Sequence, residues 1–84
     1  MKAYYFTADW CGPCQTFGPV MDQVTSIQIV KVNVDYHADI TRDYAVMSVP
    51  TVVLLNSKGL ELSRFSGARD LGSVNHFIDS YQGV

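Results

Sequence analysis

Hydrophobic and polar positions change rhythm at a few well-marked places along this chain. Lys2 to Thr7 is a run of aromatic and small residues that predicts a first strand. From Gly12 the period becomes helical, with Phe17, Val20, Met21, Val24 and Ile27 on one stripe. Ile29 to Val34 reads as a second, largely buried strand; joined to the first through a helix, it should lie parallel to it in a right-handed crossover. Ala38 to Val46 is a short helix candidate, with Ile40 and Tyr44 one turn apart, ending before Pro50 because the residue preceding a proline disfavours helix.

Thr51 to Leu55 predicts a third strand and Asn56 to Gly59 a tight turn, so Leu60 to Phe65 should return antiparallel as a hairpin. Asp70 suits the N-cap of a last helix, in which Leu71, Val74, Phe77, Ile78 and Tyr81 recur at helical spacing. The order βαβαββα predicts one α/β domain over residues 1–84, a four-stranded mixed sheet flanked by three helices. No linker, repeat or low-complexity segment interrupts it. The apolar stretch at Tyr4 to Phe6 is too short for a signal peptide or a membrane span, so a cytoplasmic protein is expected, with no membrane partner.

Composition narrows the chemistry. A chain of 84 residues with 48% hydrophobic and 17% charged positions has room for one modest core. It buries roughly 60 to 65% of its unfolded surface, so neither a disulfide nor a metal is required for folding. The net charge of −2, without a basic run, leaves no electrostatic footprint for nucleic acid.

The two cysteines stand in Asp9-Trp10-Cys11-Gly12-Pro13-Cys14-Gln15, at the junction of the first strand and helix. A structural bridge across so few residues restricts the unfolded chain little. A zinc site needs four ligands, and His37 and His76 stand alone, so no metal is expected. Neither histidine has a sequence reason to sit against Cys11 as the base of a hydrolase. Redox chemistry remains.

If the helix starts near Gly12, Cys11 lies at its start and Cys14 one turn in, within the roughly 4.4 to 6.8 Å between Cα atoms that a disulfide needs. Pro13 is tolerated in a first turn and stiffens it. The first-turn N–H groups, the helix dipole and a hydrogen bond from the Cys14 thiol favour a Cys11 thiolate. Cys11 is therefore expected to be the exposed nucleophile. Cys14, covered by the helix, would attack the mixed disulfide that Cys11 makes with a substrate.

Trp10-Cys11-Gly12-Pro13-Cys14, followed by Val49-Pro50-Thr51, resembles the thioredoxin family. The likeness also takes in Pro19, Lys31, the Lys58-Gly59 turn and Gly67, so it covers nearly the whole chain. It implies a thioredoxin-like fold in which Cys11 and Cys14 form the redox disulfide and Pro50 is cis beside it. It further implies that an extended substrate segment pairs with the backbone at Val49, within an apolar rim of Trp10, Pro13, Val49, Gly67 and Ala68. The activity implied is reduction of protein disulfides by a monomer without a bound cofactor, with electrons from a thioredoxin reductase or from glutathione.

Three departures from the family pattern carry consequences. The usual extra N-terminal strand and helix have no residues here, which should leave the Ile29 to Val34 strand at a sheet edge, guarded by Lys31 and Asn33. Thr7 stands where many members have tryptophan. Tyr5 occupies the place of the family's buried aspartate, whereas the lysine that accompanies it is present as Lys31. A phenol is neutral at pH 7 and is a poor general base for the resolving thiol. Gln15, where many relatives carry lysine, removes one more positive charge near the pair.

Two other readings compete. A glutaredoxin-like enzyme would use glutathione, but Gly12-Pro13 differs from a Pro-Tyr pair and no basic cluster awaits glutathione carboxylates. A scaffold that only docks partners, its cysteines incidental, is the second, since fold does not fix function.

Overall fold

Alternation along the first strand decides which side of the sheet each layer covers. The computed structural model describes residues 1–83, so residue 84 of the expected domain lies outside the described residues. In chain order the elements are β1 (Lys2–Thr7), α1 (Gly12–Asp22), β2 (Gln28–Asn33), α2 (Ala38–Asp43), β3 (Thr51–Leu55), β4 (Glu61–Ser66) and α3 (Leu71–Asp79). Ala3 and Tyr5 point to one face, where they join Phe17 and Met21 of α1, Val52 and Leu54 of β3, and Val74 and Ile78 of α3. Phe6 points to the other, with Val32, Val53 and Leu55, under Ile40 and Tyr44 of the α2 region.

The sheet order is β2-β1-β3-β4. β1 pairs parallel with β2, placing Tyr5 beside Lys31 and Thr7 beside Asn33. It pairs antiparallel with β3, and β3 with β4. β3 is buried at all five positions, as a strand covered on both faces must be. β2 is an edge of this sheet, as expected without the family's extra strand beside it, and it carries Lys31 and Asn33.

Local causes are visible at α3 and at the β3–β4 turn. Asp70 caps α3 through Oδ1, which accepts from Ser73 N–H at 2.8 Å; those hydrogen bonds hold its carboxyl below the ordinary carboxylate range. Asn56 accepts from the N–H groups of Lys58 and Leu60, closing the β3–β4 turn, where Gly59 adopts a left-handed φ of 80°.

Several boundaries differ from expectation. α1 stops at Asp22 although the apolar stripe continues; Val24 and Ile27 pack against the same core from the chain beyond the helix. α2 is shorter than predicted, since Ala45 turns to a φ of 51° and Tyr44 caps the helix. β2 begins and ends one residue early, because Tyr36 and His37 N–H both fold back onto the Asn33 carbonyl. β4 starts at Glu61 rather than Leu60, whose carbonyl is taken by Asn56 N–H in the turn.

Candidate functional site

β1 ends at Thr7, and four residues later Cys11 is the N-cap of α1 in extended conformation, with Pro13 in the first turn. The N-cap role is filled by sulfur: Cys11 Sγ accepts the Cys14 N–H at 3.2 Å. Cys11 and Cys14 are joined as a disulfide, their Cα atoms 5.3 Å apart. This separation falls within what the first turn of a helix offers without displacing its backbone.

Both cysteines are 4% exposed. The expected contrast between an exposed Cys11 and a covered Cys14 is thus not present in the oxidised pair. Ala8 is buried with the pair, and Val34 and Val49 pack against them. What separates them is position. Cys11 Sγ sits at the helix N-terminus, where the free N–H groups and the dipole favour negative charge. Cys14 sits inside the helix and lines a cleft on the far side.

Val49 and Pro50 reach the disulfide from the other half of the chain. The Val49–Pro50 bond is cis, and the Val49 carbonyl oxygen lies 3.7 Å from Cys11 Sγ. Thr51 braces this segment: its hydroxyl donates to the Ser48 carbonyl at 2.7 Å and lies 2.9 Å from the Ser66 hydroxyl. Gly67 N–H donates to the Pro50 carbonyl at 2.9 Å, and Gly67 takes a left-handed φ of 90°. Gly67 and Ala68 are consequently exposed beside Pro50.

Trp10 is 70% exposed and is held by its indole N–H, which donates to Asp35 at 2.9 Å. One wall of a shallow groove of about 140 Å³ is Trp10; Val34, Thr41, Val46, Met47, Ser48 and Val49 form the rest. Met47 is 94% exposed. Periodicity could not have assigned Val34, Thr41, Val46 and Met47 to the site, because they belong to irregular chain on either side of α2 or to its outer turn. Only Val46 and Met47, close to Val49 in sequence, carried a signal.

Behind the disulfide a polar cleft of about 210 Å³ brings together Tyr5, Thr7, Asp9, Cys14, Asp22 and Lys31. Tyr5 is 2% exposed, and its hydroxyl donates to Thr7 Oγ1 at 3.3 Å. Lys31 is exposed on the edge strand. The structure therefore places Tyr5 and Lys31 on the Cys14 side of the pair. His37 and His76 are both exposed, and among the described residues no three His, Cys, Asp or Glu side chains are gathered as a metal would require. No helix among the described residues is long and apolar enough to cross a membrane.

Against known proteins, the thioredoxin family model matches residues 4–80. The chain is 38% identical over 80 residues to the thioredoxin of Chlamydia caviae, covering 90% of this chain and 78% of that protein. It is 37% identical over 79 residues to the Caenorhabditis elegans protein named probable thioredoxin-2, covering 88% of this chain and 54% of that one. It thus spans about half the length of the worm protein. Among solved structures, a mutant thioredoxin from Halobacterium salinarum superposes with a TM-score of 0.87 at 32% identity, over 99% of this chain and 75% of that one.

Proposed function

This chain belongs to the thioredoxin family, and on that premise we propose that it reduces protein disulfides by dithiol–disulfide exchange. The observation that carries the reading is Cys11 Sγ in the N-cap of α1, accepting the Cys14 N–H at 3.2 Å beside the Val49 backbone. That arrangement stabilises sulfur as a thiolate and stations it next to backbone that an extended segment can pair with.

The reduced Cys11 thiolate attacks one sulfur of a substrate disulfide. A mixed disulfide forms, and the other substrate sulfur leaves as a thiolate. Cys14 then attacks Cys11 Sγ, the Cys11–Cys14 bond forms, and the second substrate sulfur departs. Two electrons pass from the dithiol to the substrate. A thioredoxin reductase or glutathione restores the dithiol from outside, and no resident cofactor takes part. Trp10, Pro13, Val49, Gly67 and Ala68 rim the docking face, Thr51 supports it, and Gly12 leaves the turn between the sulfurs unobstructed. The protein acts as a monomer in the cytoplasm; its relatives include a bacterial and a mitochondrial thioredoxin.

The test is covalent trapping. Cys14→Ser should accumulate mixed disulfides with proteins from a lysate, identified by mass spectrometry, and Cys11→Ser should not. Equal trapping by both variants would overturn the assignment of roles.

A further inference from the structure

When Cys14 attacks the mixed disulfide, its proton needs a destination. Toward the groove beside Trp10 the pair is covered by Val34 and Val49, which offer no side-chain acceptor. On the opposite side Cys14 lines the 210 Å³ cleft, polar and roomy enough for several waters. The ionisable groups facing this cleft are Tyr5 from β1, Asp9 from the β1–α1 loop, Asp22 from α1 and Lys31 from β2.

Tyr5 spends its proton on Thr7, and an ammonium has no lone pair to accept with. Two carboxylates remain. Asp22 lies two helical turns, roughly 12 Å, along α1 from Cys14, and no hydrogen bond holds its side chain among the described residues. Asp9 is tied on both sides. Its backbone carbonyl accepts from Gln15 Nε2 at 3.1 Å, and Gln15 directly follows Cys14. Its Oδ1 accepts from Asn33 Nδ2 at 3.3 Å, on the strand that flanks Thr7. Oδ2 carries no hydrogen bond among the described residues. Asp35, the next carboxylate, is engaged by the Trp10 indole.

We propose that Asp9 is the proton acceptor of the resolving step, reached from Cys14 through water in this cleft. The assignment rests on the reductase reading above. The Cys14 proton passes to the Asp9 carboxylate as the Cys14 sulfur bonds to Cys11 Sγ. The bond from Cys11 to substrate breaks, and the substrate thiolate carries off the electron pair. Asp9 then returns its proton to solvent through the cleft mouth. Lys31 faces the same space and favours the transient Cys14 thiolate.

Single-turnover stopped-flow of the reduced full chain with a disulfide-bonded test peptide, from pH 6 to 9, follows formation and decay of the mixed disulfide. In the native protein decay should change little with pH. In Asp9→Asn it should be slower by about a hundredfold at pH 6.5, the low side of what a positioned base supplies, and should rise with pH until the two converge near pH 9. Asp9→Glu should recover most of the rate, and Asp22→Asn should keep the native profile. Should Asp9→Asn fail to fold, Asn33→Ala, which unties the carboxylate without removing it, should slow decay severalfold in the same pH sense. A native profile in Asp9→Asn, or in Asn33→Ala as its substitute, overturns the assignment, as does the loss appearing in Asp22→Asn instead. Absence of any mixed disulfide overturns the reductase reading itself, and the assignment with it.

Discussion

Thr51→Val exchanges one oxygen for a methyl of nearly the same shape, at a position 2% exposed. Two contacts go with that oxygen: the donation to the Ser48 carbonyl at 2.7 Å and the contact with the Ser66 hydroxyl at 2.9 Å. Each such bond contributes about 0.5 to 1.5 kcal/mol net. The added methyl offsets some of this, about 0.8 kcal/mol at most. A loss of about 1 to 2 kcal/mol is expected. At roughly 2.1 cal/mol/K of unfolding entropy per residue, over 84 residues, the melting temperature should fall by about 6 to 11 °C. The consequence reaches the site, because the Ser48 carbonyl anchors the segment that presents Val49 to Cys11. KM for a protein disulfide should rise severalfold, up to roughly tenfold if about 1.4 kcal/mol of positioning is lost. Ser66→Ala, which removes one contact and leaves the Ser48 anchor, should show about half the thermal effect and little change in KM. Calorimetry and steady-state kinetics on the three proteins suffice. A folded Thr51→Val with native melting temperature and native KM would falsify the view that this hydroxyl holds the docking strand.

Asp70→Ala should melt earlier at pH 7, and the gap should narrow in acid. The carboxyl is held below its ordinary 3.8 by the bonds from Ser73, so its contribution is full above that value and fades as pH falls through the lower folded one. Thermal melts at pH 7 and pH 2.5 check the sign. The pair between Arg64 and Glu61, at 2.7 Å, is about a third exposed; Arg64 lowers the Glu61 carboxyl. Glu61→Gln should therefore cost less than about 1 kcal/mol at pH 7 and nothing once the native carboxyl is protonated, as urea titrations at both pH values would show. Met21→Ala, at a site 2% exposed between sheet and helices, should cost about 2 to 5 kcal/mol, enough to threaten a domain of this size; urea unfolding measures it. Asp35→Ala should free the indole of the sole tryptophan, Trp10, lowering its fluorescence anisotropy while stability moves by less than about 1 kcal/mol.

Strand and helix identities were legible where a period ran unbroken. β1 and β3 begin and end where the runs Lys2 to Thr7 and Thr51 to Leu55 predict, because consecutive apolar β-formers leave one conformation that buries them. The end of α2 was not legible. Ile40 and Tyr44 keep helical spacing past Asp43, but Ala45 adopts positive φ for reasons of chain routing toward Val49, which no local pattern carries. The same distinction divides the site. Cys11, Gly12, Pro13 and Cys14 are contiguous, and their capacity to close a disulfide across a helix's first turn follows from spacing. Asp9, Asn33, Asp35 and Met47 acquire their places only once β2 lies beside β1 and the α2–β3 loop folds under Trp10. Cys11's burial was also hidden, since the residues that cover it, Val34 and Val49, lie 23 and 38 positions away.

The strand order also dictates which amides are last to meet solvent. β1 is bonded to β2 on one side and β3 on the other, and β3 to β1 and β4. Their N–H groups can exchange with deuterium only when the sheet itself opens, whereas β2 and β4 each keep one unpaired margin, and α2 buries no residue. Deuterium uptake should accordingly start in α2 and along the outer strands, and reach β1 and β3 at the rate of global unfolding. Cys11 hangs from the end of β1, and Val49 and Pro50 lead directly into β3. The two halves of the site are therefore moored to the two slowest-opening segments of the molecule. Partial openings that loosen its margins leave the spacing between Cys11 and Val49 intact, so the protein can breathe at its periphery through many catalytic cycles without losing register at its sulfurs.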